Sequence, residues 1–301
     1  MQYTWLFMKK DKKLIGEKSL YAMFFAVCAC FFLVIYFGHF FSSSDYAIRK
    51  TNQGLWIAGI RGDLVSNTIF EKGEWEPNVT KYLTEHVKPS ETVIEIGANI
   101  GYYTTLLASI VGKNGKIYAY EANKHVFDLA VLSLRMNALE RDGVFLKNFA
   151  VSDSVGTIEL VCTTSEDLVL GRVNLGGTHL KFPLEKTDEK TVSVQSVTLD
   201  EDLPNVKNVD WLRMDIEGSE ILALKGAKRI IESSPNLKIV MEWSIRMLGY
   251  YGDIAALIDE MHAYGFKFYH IDIQGKLGKE LSKETLLNIP EIIDVVLMRN
   301  K

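Results

Sequence analysis

An α/β fold built around a largely parallel sheet is predicted by three features of this 301-residue chain. The stretch Val93-Ile-Glu-Ile-Gly-Ala-Asn-Ile-Gly101 opens with the β-branched residues Val93, Ile94 and Ile96, which suit a strand buried on both faces. After Gly97 the apolar period changes. Ile100, Tyr103, Leu107 and Ile110 recur at helical spacing, so the segment reads as strand, glycine turn and helix. From residue 116 onward strand-like and helix-like runs alternate, which implies parallel pairing through right-handed crossovers. Open sheets of this kind bind a nucleotide-like ligand where such a loop leaves its strand.

Taken in order, residues 1–19 form a basic tail, with Lys9, Lys10, Lys12, Lys13 and Lys18 set against Asp11 and Glu17. Leu20 to Phe41 contains no Asp, Glu, Lys or Arg. At about 1.5 Å per residue it would cross a hydrocarbon core of roughly 30 Å. It is longer than the roughly 7–15 apolar residues of a cleaved secretory signal, and no Ala-x-Ala site follows. Residues 20–41 are therefore read as a transmembrane signal-anchor. The basic tail places the N-terminus in the cytosol and the catalytic domain on the lumenal or exoplasmic side. Asn78-Val79-Thr80 fits a glycosylation acceptor on that side.

Residues 42–89 are read as a linker followed by a hairpin and a helix. Ser42 to Ser44 is a short polar linker, and two β-rich runs in residues 46–60 flank Asn52-Gln53-Gly54 as a hairpin would. Pro77 opens a helix to about Val87, which Lys88-Pro89-Ser90 breaks. Residues 90–301 then form the main domain, with an insertion at about 156–199. Its strands are expected at Val93–Ile96, Lys116–Glu121, Val144–Val151, Val209–Asp215, Lys238–Trp243, Phe266–Ile271 and Ile293–Met298, one sheet of about seven. Helices are expected from Ile100, over Val126–Leu139, through Ile221, Leu224 and Ile231, and through Ile254 to Met261 with Gly265 closing it. In the insertion, Thr157–Cys162 and Thr191–Leu199 read as paired strands around an irregular Gly171–Lys190.

Composition excludes several classes. Cys28 and Cys30 fall in the anchor, leaving Cys162 alone, so no disulfide framework or zinc site can be assembled. Residues 1–18 carry net +3 of a chain total of −4, which leaves the remainder at −7. A domain that acidic offers no footprint for a polyanion, so nucleic acid is not an expected partner.

The glycine loop lacks the Gly-x-Gly-x-x-Gly fingerprint of a pyrophosphate site, having Glu95-x-Gly97-x-x-x-Gly101 instead. A carboxylate there repels pyrophosphate and favours a cation, which suits the sulfonium and ammonium groups of S-adenosylmethionine. Glu121, 20 residues beyond Gly101, ends the next strand, where an acid accepts hydrogen bonds from both ribose hydroxyls. Asp215 and Glu217 close a later strand and Glu242 the one after it. Three carboxylates converging on strand ends could supply a general base, a metal site or contacts to the cofactor amine. The plainer alternative has Asp215 capping a helix and Glu217 in a surface ion pair. His270 is a second base candidate against a plainer structural role, His179 in the insertion could touch substrate or be an exposed loop histidine, and Trp75 and Trp243 could stack on a sugar ring, although core burial is the default for either tryptophan.

Glu95-Ile-Gly-Ala-Asn-Ile-Gly-Tyr-Tyr103, Glu121-Ala-Asn123, Phe149-Ala-Val-Ser-Asp153, Val209-Asp-Trp-Leu-Arg-Met-Asp-Ile-Glu-Gly218, Lys225-Gly-Ala227 and Glu242-Trp243 together resemble the FkbM-type methyltransferases, over roughly residues 75 to 300. The chain has Glu95, Ala122 and Arg213 where that family usually has Asp, Pro and Lys. The resemblance implies a Rossmann-like class I methyltransferase sheet of seven strands with the last antiparallel. It also implies S-adenosylmethionine-dependent O-methylation, often of sugars or small metabolites. By position, Glu95, Gly97, Asn99, Gly101 and Glu121 would hold the cofactor, with Ala150 and Val151 near its adenine. Asp215, Glu217 and Glu242 would be the catalytic acids, with no metal assigned and a glycan, lipid-linked or small-molecule hydroxyl as acceptor. Two other readings stay open: an inactive anchored interaction module on the same fold, and a nucleotide-dependent oxidoreductase.

Overall fold

The structure, a computed structural model, describes residues 46–161, 177–181 and 191–299. The expected anchor at 20–41 and most of the Gly171–Lys190 stretch lie outside the described residues. Among the described residues, no helix is long and apolar enough to cross a membrane.

The expected hairpin is present as β1 (Tyr46–Lys50) and β2 (Trp56–Ile60). A helix the sequence reading did not include, α1 (Leu64–Lys72), follows it. Asp63 caps α1 by accepting from the Ser66 amide, and Gly73 ends it in the left-handed conformation. Helix α2 (Pro77–His86) starts at its proline as expected. The Asn78-Val79-Thr80 tripeptide is therefore the first turn of a helix and not a surface loop. Thr80 is buried with its hydroxyl donating to the Trp75 carbonyl at 2.6 Å, and Asn78 Nδ2 donates to Asp294 at 3.3 Å.

The glycine loop links β3 (Thr92–Ile96) to α3 (Tyr102–Val111), and β4 (Lys116–Tyr120), α4 (Lys124–Met136) and β5 (Val144–Lys147) follow. The strand expected over Val144–Val151 is broken in two. Asn148 donates to the carbonyls of Glu121 and Ala122 at 2.8 and 3.0 Å, which turns the chain out of the sheet. Beyond the break, β6 (Ala150–Val151) pairs with a different sheet, made with β7 (Gly156–Val161), β8 (His179–Leu180) and β9 (Thr191–Val197) in the order β6-β9-β7-β8. The antiparallel β7–β9 pair is the expected one. Its company is new, so the described residues of 90–301 form two sheets instead of one.

After α5 (Leu199–Asp202) the main sheet resumes with β10 (Trp211–Met214). The single helix expected through Ile231 is two, α6 (Glu220–Lys225) and α7 (Lys228–Glu232). Asp200 accepts from the amides of Arg229 and Ile230 at 2.8 and 3.1 Å and so caps the second. Then come β11 (Lys238–Trp243), α8 (Ile245–Leu248), α9 (Ile254–Ala263), β12 (Phe266–Ile271), β13 (Leu277–Leu281), α10 (Lys283–Leu286) and β14 (Ile293–Arg299). The main sheet runs β13-β12-β14-β11-β10-β3-β4-β5. It has eight strands, because β13 pairs antiparallel on the outer edge of β12, and β14 lies antiparallel between β11 and β12.

The central strands carry the core. Val93, Ile94, Leu212, Ile239 and Val240 are buried, as strands covered on both faces require. Each such side chain contributes about 1.5–3 kcal/mol of burial. From β3 the chain moves outward through β4 and β5 and returns on the other side as β10. The carboxyl ends of β3, β4 and β10 therefore border a switch in strand order, the place where a crevice opens in a doubly wound sheet.

Candidate active site

Gly97 leaves β3 with φ +84°, and a Cβ there would lie 2.1 Å from the Asp215 carbonyl oxygen. No other residue fits that approach. Asn99 also has positive φ, at 51°, a conformation asparagine tolerates, and its Oδ1 accepts from the Ile100 amide at 2.7 Å. Gly101 has φ +82° and starts α3 so close to α4 that a Cβ would meet Ala130 Cα at 2.9 Å.

Glu121 follows β4 directly. One carboxylate oxygen accepts from the Asn99 amide and the other from the Asn123 amide, both at 2.8 Å. Burial pushes its pKa up to about 7, against those backbone hydrogen bonds. Beside it lies a cleft whose lining includes Gly97, Asn99, Glu121, Ala150, Val151 and Asp215. Six of the ten residues assigned to cofactor or catalysis from the sequence thus line one cleft. Phe149, Tyr120 and Ile216 add apolar wall, and Thr178 and His179 reach it from the second sheet.

Glu95 and Gly101 stand behind this lining, not in it. Glu95 is fully buried, accepts from Thr104 Oγ1 at 2.7 Å and lies 3.8 Å from Arg213. Burial raises its pKa to about 7, opposed by the Arg213 charge. Glu217 and Glu242 also lie outside the lining, yet they share the field of Asp215. Burial, then the Asp215 charge, raises Glu217 to about 7, and the same two causes raise Glu242. Glu217 has φ 55°, an uncommon backbone for glutamate.

Two acids missing from the sequence reading join this corner. Asp294, the second residue of β14, lies directly across from Glu242, and Glu76 precedes Pro77. Burial raises the pKa of both, with the Asp215 charge next. Arg213 offsets them, its Nη2 donating to Asp215 Oδ2 at 2.8 Å. Trp243 is a core residue, its indole donating to the Leu286 carbonyl at 3.1 Å. His270 sits in β12 opposite Val295, half-buried. Among the described residues, no group of three or more His, Cys, Asp or Glu is arranged to hold a metal ion.

Residues 95–268, from the acid of the glycine loop to the middle of β12, match the methyltransferase FkbM domain. The chain belongs to the FkbM methyltransferase family. This FkbM-family chain is a methyltransferase, and S-adenosylmethionine is its cofactor. No curated protein matches it in sequence. Among solved structures, a putative rRNA methylase from Clostridium thermocellum is similar at 13% identity and TM-score 0.44, over 74% of this chain and 93% of that one. An S-adenosylmethionine-dependent O-methyltransferase from Thermotoga maritima is similar at 12% identity and TM-score 0.40, over 87% and 80%. A putative methyltransferase from Streptococcus mutans, solved with S-adenosylhomocysteine, is similar at 8% identity and TM-score 0.42, over 73% and 95%. These likenesses are too distant to bear on the reaction, and membership rests on the sequence match.

Proposed function

We propose that this enzyme methylates a hydroxyl of a sugar or glycan, a lipid-linked or a small-molecule acceptor, while residues 20–41 hold it at a membrane with the catalytic domain on the lumenal or exoplasmic side. The observation that carries the transfer reading is Glu121, whose two oxygens are each fixed by one backbone amide at the wall of the cleft. Each oxygen keeps an accepting lone pair, as a vicinal diol such as a ribose needs. Ala150 and Val151, with Phe149, give the apolar wall that suits an adenine. Gly97 and Asn99 form the loop wall, and Glu95 and Gly101 support it from behind. The donor set thus fits S-adenosylmethionine, which supplies the electrophilic methyl group when bound.

The acidic corner supports an oxygen acceptor. An alcohol becomes a competent nucleophile as its proton leaves, and a base works best when its pKa lies near the operating pH. Glu217, at about 7, meets that condition beside Asp215. Asp215, on the cleft itself, orients the hydroxyl, and Glu217 receives its proton, while Glu242, raised to about 9, keeps its own. The uncharged run Leu20–Phe41 supports the membrane part of the reading.

Calorimetric titration of S-adenosylhomocysteine into the full chain tests the cofactor site, and absence of binding at millimolar ligand would sink it. Mass spectrometry of glycans and lipids from cells with and without the protein tests the acceptor. A one-methyl difference confined to one class names it. A difference in proteins or nucleic acids alone rejects this acceptor class.

A further inference from the structure

Arg213 stands at the centre of the sheet, 5% exposed, in register with Glu95 on β3. A guanidinium is costly to bury and persists only where several partners replace its water. Here five residues supply partners. Nη1 donates to the Gly97 carbonyl at 3.2 Å and lies 3.8 Å from Glu95. Nη2 donates to Asp215 at 2.8 Å and lies 3.7 Å from Glu76. The guanidinium carbon sits 4.3 Å from the Tyr103 ring centroid, and the Tyr103 hydroxyl donates to Glu76 at 3.0 Å. The two fork nitrogens thus reach the glycine loop and the cleft carboxylate at once. A lysine ammonium is a point charge and cannot reproduce that fork.

Glu76 closes the arrangement from outside. It lies before residues 95–268, so the family match does not include it. Its backbone is left-handed, φ 40° and ψ 73°, directly before Pro77, a conformation unfavourable for a non-glycine residue. That strain is maintained by the contacts of its carboxylate with Tyr103 and Arg213. We infer that Arg213 is a positioning residue for methyl transfer, holding the Asp215 carboxylate and the Gly97 carbonyl in one arrangement, with Glu76 bracing its far side. The inference rests on the role given to Asp215 above.

The test uses the full chain loaded with S-adenosylmethionine carrying a 13C methyl, whose bound resonance reports the groups around it without any acceptor. Asp215→Asn is expected to displace that resonance. Arg213→Gln is expected to displace it too and to weaken cofactor binding about tenfold, the loss of one charge-assisted hydrogen bond. Arg213→Lys keeps the charge and is expected to restore affinity to within about threefold, with the resonance still displaced. Glu76→Gln is expected to move the resonance in the wild-type background and not beside Asp215→Asn, because its effect passes through that carboxylate. If Arg213→Gln does not fold, Arg213→Lys and Glu76→Gln decide. An Asp215→Asn displacement with no change in any Arg213 or Glu76 variant overturns the positioning role alone. An unmoved resonance in Asp215→Asn overturns the role of Asp215 and this inference with it.

Discussion

At Glu121 two backbone amides hold a carboxylate that burial would otherwise neutralise. Glu121→Ala removes both acceptors offered to a diol, so cofactor affinity is expected to fall about tenfold to a hundredfold, read by calorimetry. Asp215→Asn keeps the shape and removes the charge. Turnover is expected to fall more than cofactor affinity, once the acceptor is in hand, and equal losses in both would remove Asp215 from the reaction. The residues on the cleft were legible in the sequence because each answers a local need. Gly97 must admit the Asp215 carbonyl, and Glu121 must end a strand beside the loop. Glu76 and Asp294 answer no local need. They come from before Pro77 and from an antiparallel strand, and only the register opposite Glu242 and the reach of Arg213 bring them in. Arg213 belongs to the Val209–Gly218 motif together with Asp215, but its other partners include a loop carbonyl and a residue 137 positions away in sequence, which no spacing reveals.

Elements were legible where a hydrophobic period ran uninterrupted. β11 appears over the residues expected, Lys238–Trp243, and β3 and α2 within a residue or so of theirs. β13, Leu277-Gly-Lys-Glu-Leu281, is an exposed edge strand with apolar residues only at its ends, so it offers no alternation to read. The division of Val144–Val151 depends on Asn148 reaching carbonyls of another segment, a tertiary contact. One buried hydroxyl docks the leading hairpin on the domain. Ser133 Oγ accepts from the Ala58 amide and donates to the Ile100 carbonyl, both at 3.0 Å. Ser133→Ala leaves two buried backbone groups unmatched, so stability is expected to fall by about 1–3 kcal/mol in chemical denaturation. The first turn of α2 gives another expectation. A glycan on Asn78 would take one of the two Nδ2 hydrogens and set a sugar beside the half-buried contact of that nitrogen with Asp294. Folded protein made in a secretory host is therefore expected to show no mass loss at Asn78 on deglycosylation, checked by peptide mapping.

For the molecule as a whole, buried acids set the response to pH. Glu95, Glu121, Glu217 and Glu220 are each raised from 4.5 to about 7, burial being the largest cause. Glu76, Glu242 and Asp294 are raised as well. Across that window the folded chain holds protons that the unfolded chain has released, so stability falls as pH rises from about 4.5 through 7. The urea midpoint is expected to be higher near pH 5 than near pH 8, and the opposite order would show that these acids are ionised in the folded state without penalty.

The pairing of Glu95 with Arg213 across β3 and β10 also bears on how such a sequence can drift. Arg213 without Glu95 keeps Asp215 at 2.8 Å, whereas losing Arg213 leaves Glu95 at the centre of the sheet without its cation, at a cost of about 3–5 kcal/mol for a broken buried pair. That is a large share of the roughly 5–15 kcal/mol that holds a domain folded. Loss of the cation at position 213 alone is therefore selected against, while exchanges that keep the sign at each site, Asp for Glu95 or Lys for Arg213, remain open. Among the chain's homologues, position 95 should covary more tightly with position 213 than with its own neighbours in the glycine loop.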